Sequence, residues 1–153
     1  MSKITSFLLI ALIGVGIIGC GGSPAGSEWI TPQVEGNTIS IPVLPIENNT
    51  MSNFRIDTSE GEMDFMVYKL NNYIHVLANV CPPCDSVGFD LDDTELVCQS
   101  CGTTFDAETG EGIFGGCVNY PKESVPYELE DSRIVMNRSD LITAYQETLA
   151  PGY

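Results

Sequence analysis

Two pairs of cysteines, each with two residues between its members, constrain this chain more than any other feature of its sequence. Cys81 and Cys84 form the first pair, and after thirteen residues Cys98 and Cys101 form the second. Two intervening residues allow a tight turn to direct both sulfurs at one point, and two such turns can close a shell of four thiolates. The spacing therefore predicts a metal centre bound by these four cysteines.

The residues inside the two loops agree with metal binding, although two other uses of the cysteines stay open. Pro82 and Pro83 stiffen the first loop, and Gly102 can relax the backbone after the second. Two disulfides are one alternative, because exported proteins commonly form them. A thiol-disulfide active site is the other, but neither pair opens a helix, which is the usual context of such a motif. Five cysteines remain when Cys20, which lies near the start of the chain and is interpreted separately below, is set apart. This odd number and the similarity of the two loops favour the metal.

Cys117 and His75 are further candidate ligands. Cys117 follows two glycines, which let its backbone approach a centre closely. It is interpreted as an additional ligand, as a redox-active free thiol or as a buried cysteine, and all three interpretations stay open. His75 is the only histidine, and its place in an alternating apolar segment predicts a strand residue rather than a ligand.

The start of the chain predicts export with lipid attachment at Cys20. Lys3 precedes an apolar run over residues 7–18, which is shorter than the roughly 20 residues of a membrane-spanning helix and is typical of a signal peptide. Residues 17–20 read Ile-Ile-Gly-Cys and are similar to the lipobox of bacterial and archaeal lipoproteins, in which the cysteine carries the lipid. We therefore expect a lipoprotein anchored through Cys20 on the outer face of the cell membrane, or on its periplasmic side.

The chain divides into three predicted parts. Residues 1–19 are the signal peptide. Residues 20–37 are rich in Gly, Ser and Pro, and this composition predicts a flexible tether. Residues 38–153 are long enough for one domain with a modest core, and they contain both cysteine pairs. We expect this third part to be the metal-binding domain.

The predicted domain is mostly β. Asn71-Asn72 and Asp131-Ser132 separate pairs of strand-like segments and predict tight hairpin turns. Residues 139–149 predict a short C-terminal helix with Ser139 as its cap. The predicted strands are Thr38–Leu44, Asn53–Asp57, Met63–Leu70, Tyr73–Val80, Glu95–Cys98, Val125–Glu130 and Arg133–Asn137.

The charge of the chain excludes nucleic acid as a partner. Six basic residues stand against 21 acidic ones, and the formal net charge is -15. Binding to a phosphate backbone needs clustered lysine and arginine, which this sequence does not contain. The acidity is interpreted either as attraction for cations or a basic protein, or only as a means of solubility. The acidic residues between the cysteine pairs are interpreted as a solvated loop and not as ligands.

Several short segments resemble one known family. They are Cys98-Gln99-Ser100-Cys101-Gly102-Thr103-Thr104-Phe105-Asp106, Thr109-Gly110, Gly115-Gly116-Cys117 and Val125-Pro126-Tyr127-Glu128, preceded by Ile39-Ser40-Ile41-Pro42-Val43 and the hairpin from Met63 to Val80. Over about residues 36–137 this pattern resembles the FtrD-like membrane iron-sulfur family and, more distantly, a Rieske domain.

The resemblance implies a small Rieske-like antiparallel β domain with two cysteine-knuckle loops. Cysteines stand at Cys84 and Cys101, where a Rieske site has its two histidines, so a 2Fe-2S cluster with four thiolates is implied instead. Such a cluster has a potential nearer about -400 mV than the Rieske range. The family also tends to have a cysteine at the position of Cys117.

Two functions follow from these observations. The first is electron transfer or redox support for a membrane system, with membrane redox or iron-transport proteins as the partners that the resemblance implies. The second is a structural zinc module for protein interaction or assembly, although the linker between the pairs is shorter than the roughly 15–20 residues usual for zinc. An electron carrier or accessory protein is favoured over an independent enzyme, and the lone His75 anchors no Ser-His-Asp arrangement of a hydrolase.

Overall fold

The computed structural model describes residues 27–48 and 51–151. The predicted signal peptide, Cys20 and residues 21–26 lie outside the described residues. Within the described ranges, no helix combines the length and the apolar character needed to cross a membrane.

Short strands make up most of the described chain, with a helix near its end. In chain order the elements are β1 (Glu28–Ile30), β2 (Gln33–Glu35), β3 (Thr38–Pro42), α1 (Leu44–Asn48), β4 (Ser52–Thr58), β5 (Gly61–Leu70), β6 (Tyr73–Ala78), a 3-10 turn (Pro82–Cys84), β7 (Phe89–Asp92), β8 (Glu95–Cys98), β9 (Thr104–Asp106), β10 (Gly112–Phe114), β11 (Glu128–Glu130), β12 (Arg133–Asn137) and α2 (Arg138–Leu149). The prediction of a mostly β domain with a short C-terminal helix is confirmed.

Over the described ranges the strands form three four-stranded sheets. The first has the order β1-β4-β5-β6, the second β11-β12-β3-β2 and the third β10-β9-β8-β7. All neighbouring strands run antiparallel except β1 and β4, which are parallel. The third sheet follows the chain from one strand to the next, so its loops alternate between its two ends.

The two predicted hairpin turns are present. Asn71 and Asn72 have φ of 50° and 69°, and Asp131 and Ser132 have φ of 45° and 63°. Two consecutive left-handed residues give a turn whose twist matches that of the flanking strands, and asparagine and aspartate tolerate this conformation well. These turns fix the register of β5 with β6 and of β11 with β12.

The β5-β6 hairpin is buried on both faces and separates two apolar clusters. Side chains of a strand alternate between faces. Phe65 and Val67 therefore join the first cluster, whereas Met66 and Tyr68 join the second. We call the first cluster the scaffold core; it also contains residues of β3, β4, β12 and both helices. We call the second the sulfur core; its buried members are Met51, Met66, Tyr68, Leu77, Cys81, Phe89, Leu96, Cys98, Phe105, Ala107 and Cys117.

Strand structure begins earlier than the sequence predicts. The sequence predicts a flexible tether over residues 20–37, but β1 and β2 lie within that range. They pair with β4 and β3, respectively. The prediction is wrong for residues 28–35. Both strands are only three residues long, and their mainly exposed side chains give no alternating apolar pattern. Backbone pairing with a neighbouring strand therefore forms them, and composition does not reveal it.

Three boundaries also differ from the prediction. The first predicted strand ends at Pro42, and α1 follows it, since Pro45 suits the first turn of a helix. The predicted strand Val125–Glu130 is shorter in the structure, where β11 begins at Glu128. Residues 125–127 contact β6 instead, and the Val125 amide donates to the Val76 carbonyl at 2.8 Å. Asn137, without a side-chain cap bond, is the N-cap of α2, so the predicted Ser139 cap is wrong.

Candidate metal centre

The first cysteine loop is a tight turn directly after β6. The Cys81 amide donates to the Ser86 carbonyl at 2.8 Å, and the Cys84 amide donates to the Cys81 carbonyl at 3.1 Å. Pro82 and Pro83 begin the 3-10 turn between the two cysteines, and Asp85 ends it in the left-handed conformation with φ of 53°. The prolines therefore restrict the turn that brings the two sulfurs to one side of the loop.

The second cysteine loop is the turn between β8 and β9. Cys98 is the last residue of β8, and its amide donates to the Thr103 carbonyl at 2.9 Å. The Gly102 amide donates to the Cys98 carbonyl, also at 2.9 Å, while Gly102 has φ of 68°. Glycine adopts this left-handed conformation without a steric penalty, which is why it directly follows Cys101.

Close contacts at two glycines join the cysteine loops and the segment of Cys117, and the one at Gly115 leaves no room for a side chain. The Gln99 amide donates to the Gly88 carbonyl at 3.0 Å, and a Cβ at Gly88 would lie 2.4 Å from the Gln99 Oε1 atom. Gly115 has φ of 119°, and a Cβ there would lie 2.6 Å from the Thr103 Oγ1 atom. The first contact joins the two cysteine loops, and the second brings the segment of Cys117 against them.

All five cysteines of the described residues lie at one place. The Sγ atoms of Cys81, Cys84, Cys101 and Cys117 are within 4.8 Å of one another. The Cys98 Sγ atom falls outside that group but lies 3.7 Å from the Cys84 Sγ atom. The Cys101 and Cys117 Sγ atoms are also 3.7 Å apart. The structure thus brings both predicted pairs together and adds Cys117.

The sulfur atoms are spaced for a shared metal and not for disulfides. The five are free thiols, and 3.7 Å is well beyond the length of a disulfide bond of about 2.05 Å. Metal–sulfur bonds of about 2.3 Å in a tetrahedron give sulfur–sulfur distances of about 3.8 Å. A pair of sulfurs at this spacing fits two thiolates on one iron of a cluster or on a zinc-like ion. The compact group of four fits a single ion, because thiolates on the two irons of a 2Fe-2S cluster lie farther apart.

The thiols differ in their environment. Cys81 is buried, and burial raises its pKa; burial also raises the pKa of the half-buried Cys84. Cys101 is exposed, and hydrogen bonds from the hydroxyl and backbone amide of Thr103 lower its pKa to about 6. A metal must therefore displace protons from the buried thiols, whereas Cys101 offers a thiolate at neutral pH.

Thr103 was not among the residues selected from the sequence. Its side chain is fully buried, and its Oγ1 atom lies 3.2 Å from the Cys101 Sγ atom. The same oxygen accepts a hydrogen bond from the Cys117 amide at 3.3 Å. One hydroxyl thus links the two cysteines, and threonine after a Cys-Gly pair is too common a sequence feature to indicate this.

Lys122 was also missed. It is the one fully buried lysine of the described residues, and it lies between the segment of Cys117 and that of Cys81. The sequence gives no signal for this, because a lysine in an acidic protein is expected on the surface.

His75 and the acidic residues behave as the sequence indicates. The His75 ring stacks on the Tyr68 ring at 5.5 Å between centroids and belongs to no group of potential metal ligands in the described chain. No acidic side chain lies in the sulfur group, and most of those between the cysteine pairs are exposed.

These features define the class of the protein: a small β domain that presents a thiolate-rich metal site on two paired-cysteine loops. Residues 46–147, about two thirds of the chain, match the family of FtrD-like membrane iron-sulfur containing proteins. The chain belongs to this family, and the resemblance seen in the sequence is confirmed.

Solved ferredoxin structures resemble part of the fold. The ferredoxin of Sphingomonas yanoikuyae B1 is 22% identical, with a TM-score of 0.45, over 54% of this chain and 83% of that one. A chain in the complex of reduced oxygenase and oxidized ferredoxin in carbazole 1,9a-dioxygenase is 17% identical, with a TM-score of 0.47, over 56% and 80%. The ferredoxin of carbazole 1,9a-dioxygenase from Nocardioides aromaticivorans IC177 is 17% identical, with a TM-score of 0.45, over 56% and 83%. No curated protein is significantly similar to the chain.

Proposed function

We propose that this chain is an exported, lipid-anchored electron-transfer protein that holds a 2Fe-2S cluster on its cysteine loops. The observation that carries the proposal is the convergence of five sulfurs from three segments of the chain. Membership of an iron-sulfur family supports iron over other metals. When bound, the cluster supplies one-electron redox chemistry, and the protein supplies its ligands and surroundings.

Three ligands are common to every arrangement that we consider: Cys81, Cys84 and Cys101. For the fourth, the sequence spacing favours Cys98, because it pairs with Cys101 in one loop. The mutual distances favour Cys117, because its sulfur belongs to the compact group. Iron content and the visible spectrum of anaerobically purified Cys98→Ser and Cys117→Ser proteins distinguish the two, since only the variant of a true ligand loses or changes the cluster.

Electron exchange through Cys101 follows from its position. Cys101 is the exposed residue of the group and Cys84 is half-buried, whereas Cys81, Cys98 and Cys117 are buried. A partner that touches the second cysteine loop would therefore come within a few bonds of the cluster. We propose membrane redox proteins or iron-transport proteins as these partners.

The full chain, purified without oxygen, tests the main proposal. Two iron atoms per chain and visible absorption that a reductant bleaches are expected. A colourless protein with one zinc per chain would instead support the structural zinc module. That second function is favoured by one specific observation, the compact group of four sulfurs, which can surround a single ion.

The anchor is tested separately with Cys20→Ala. We expect a labelled fatty acid to be incorporated into the wild-type chain and not into the variant, because the variant lacks the thiol that would carry the lipid. Equal labelling of wild type and Cys20→Ala would refute the lipid anchor and leave the metal centre unaffected.

A further inference from the structure

Lys122 carries an ammonium group inside the protein. Its side chain is fully buried, and its Nζ atom donates to the Tyr120 carbonyl at 2.6 Å and to the Val80 carbonyl at 2.9 Å. The same atom lies 4.4 Å from the centroid of the Phe105 ring and 5.6 Å from that of Phe89. Two carbonyl dipoles and two aromatic faces thus surround a cation that has no carboxylate partner among its described hydrogen bonds and ion pairs.

Such an arrangement needs an explanation, because burying an unpaired charge is costly. The chain is rich in carboxylates, yet none is placed against this ammonium in the described structure. The groups that favour it are sulfurs, because negative charge on Cys81, Cys117, Cys98 and Cys84, which metal binding would create, opposes the lowering of the Lys122 pKa by burial.

The position of Lys122 relative to the loops is equally specific. Val80 directly precedes Cys81, and Tyr120 follows Cys117 in the turn where the Tyr120 amide donates to the Cys117 carbonyl at 3.0 Å. Phe89 and Phe105 are members of the sulfur core together with Cys98. The ammonium therefore contacts the segments that carry Cys81 and Cys117 and packs against two rings of the sulfur core.

We propose that Lys122 is the buried counter-charge of the sulfur centre, which stabilises the negative charge that develops there when thiolates bind a metal and when the centre accepts an electron. The second part of this inference rests on the proposed function, because it requires a redox-active cluster. A fixed positive charge in a poorly polarisable interior acts over several ångströms with little screening. Reduction adds one electron from an external donor, so the ammonium favours the reduced state and raises the potential.

The test compares Lys122→Gln with Lys69→Gln in the full chain. Both substitutions remove one positive charge, but Lys69 is exposed on β5, where solvent screens it. In a mediated redox titration we expect Lys122→Gln to lower the equilibrium constant for reduction at least tenfold, which is about 59 mV for one electron. Lys69→Gln is expected to stay within threefold of wild type, and Lys122→Arg, which keeps the charge, should stay closer to wild type than Lys122→Gln.

A purely structural lysine predicts a different result. If Lys122 served only to donate to two carbonyls, Lys122→Gln with an unchanged cluster spectrum would have the wild-type potential. That result would overturn the inference, because the cluster would be present and its potential would not depend on the charge of Lys122.

Cobalt binding tests the inference when the iron cluster is missing. If wild-type protein contains no iron, the proposed function fails; if only Lys122→Gln contains none, the potential cannot be compared. In both cases Co²⁺ is titrated into the metal-free proteins, and its thiolate absorption is followed. A loss of affinity of at least tenfold in Lys122→Gln, restored by Lys122→Arg, supports the counter-charge. Equal affinities in Lys122→Gln and Lys69→Gln would refute it.

Discussion

The scaffold core and the sulfur core share the β5-β6 hairpin but are stabilised in different ways. The scaffold core is aliphatic and aromatic throughout, with Phe54 and Phe65 stacked at 5.3 Å between ring centroids. The sulfur core mixes rings with thiols and surrounds the ammonium of Lys122. Burial of apolar side chains contributes the same stability whether or not a metal is present. The contribution of buried thiols and of a buried ammonium changes when a metal binds. One face of the hairpin therefore contributes burial that is independent of a metal, whereas we expect the stability of the other face to depend on metal binding.

Metal removal should change the free energy of unfolding more than any of the substitutions below. This effect should arise in the sulfur core. A ligand present at about 1,000 times its dissociation constant stabilises a fold by roughly 4 kcal/mol. We therefore expect chelation to lower the free energy of unfolding by several kcal/mol, measured by urea denaturation of loaded and chelated protein. Cys81→Ser, which lacks a central ligand, should show no difference between the two conditions. Equal denaturation midpoints for loaded and chelated wild type would remove the distinction between the cores.

Phe65→Ala should weaken the scaffold core by about 3–5 kcal/mol, because it deletes a fully buried aromatic side chain and leaves a cavity. The loss should be the same in loaded and chelated protein, and the spectrum of the centre should be unchanged. Phe114→Ala is the matched control, since Phe114 is 77% exposed and its removal should change stability little. A loss that depends on the metal would show that the two cores are coupled across the hairpin.

Gly115→Ala should disturb the sulfur core through its backbone. Gly115 has φ of 119°, and the new Cβ would meet Thr103 at 2.6 Å. A residue forced into such a conformation costs roughly 1–3 kcal/mol. We expect that loss in urea denaturation together with weaker Co²⁺ binding, because Thr103 contacts both Cys101 and Cys117.

The neighbouring Gly116→Ala is the control for this strain. A Cβ at Gly116 meets nothing within 4 Å, so its substitution should leave both measurements near wild type. Similar losses from the two substitutions would contradict the importance of the close approach between Gly115 and Thr103.

Asp106→Ala should lower the free energy of unfolding least, and its effect should depend on pH. The Asp106 carboxylate accepts hydrogen bonds from the Thr109 amide at 2.8 Å and the Glu108 amide at 2.9 Å, and these bonds, that of Thr109 most of all, lower its pKa. The loss of such a capping interaction is about 1 kcal/mol. Because the folded pKa lies below the unfolded value of about 3.9, this contribution is present above that pH and disappears as the pH falls through the folded pKa.

Urea denaturation at pH 7 and at pH 3 measures this dependence. The difference between wild type and Asp106→Ala should shrink at the lower pH. Asp106→Asn keeps an acceptor oxygen and should lose less than Asp106→Ala at pH 7. A difference that is constant with pH would show that the carboxylate charge has no part in stabilising this turn.

Local features of the sequence predicted much of this structure. The Asn71-Asn72 turn, the long alternating segments of β5 and β6 and the helix near the end of the chain depend on neighbours in sequence. The cysteine loops also belong to this class, because a spacing of two residues with proline or glycine nearby shapes each turn from within. The mostly β class, the two cysteine loops and the family could therefore be predicted from local sequence.

How those parts meet depends on contacts that form when the chain folds. The proximity of Cys117 to the loops depends on the contact between Gly115 and Thr103, and the burial of Lys122 depends on carbonyls from two separate segments. The pairing of β1 likewise depends on β4, which lies far along the chain. Each is a contact between distant residues whose types are ordinary, so no local pattern marks it. Physical proximity, which exists only after the chain has folded, gives these residues their roles.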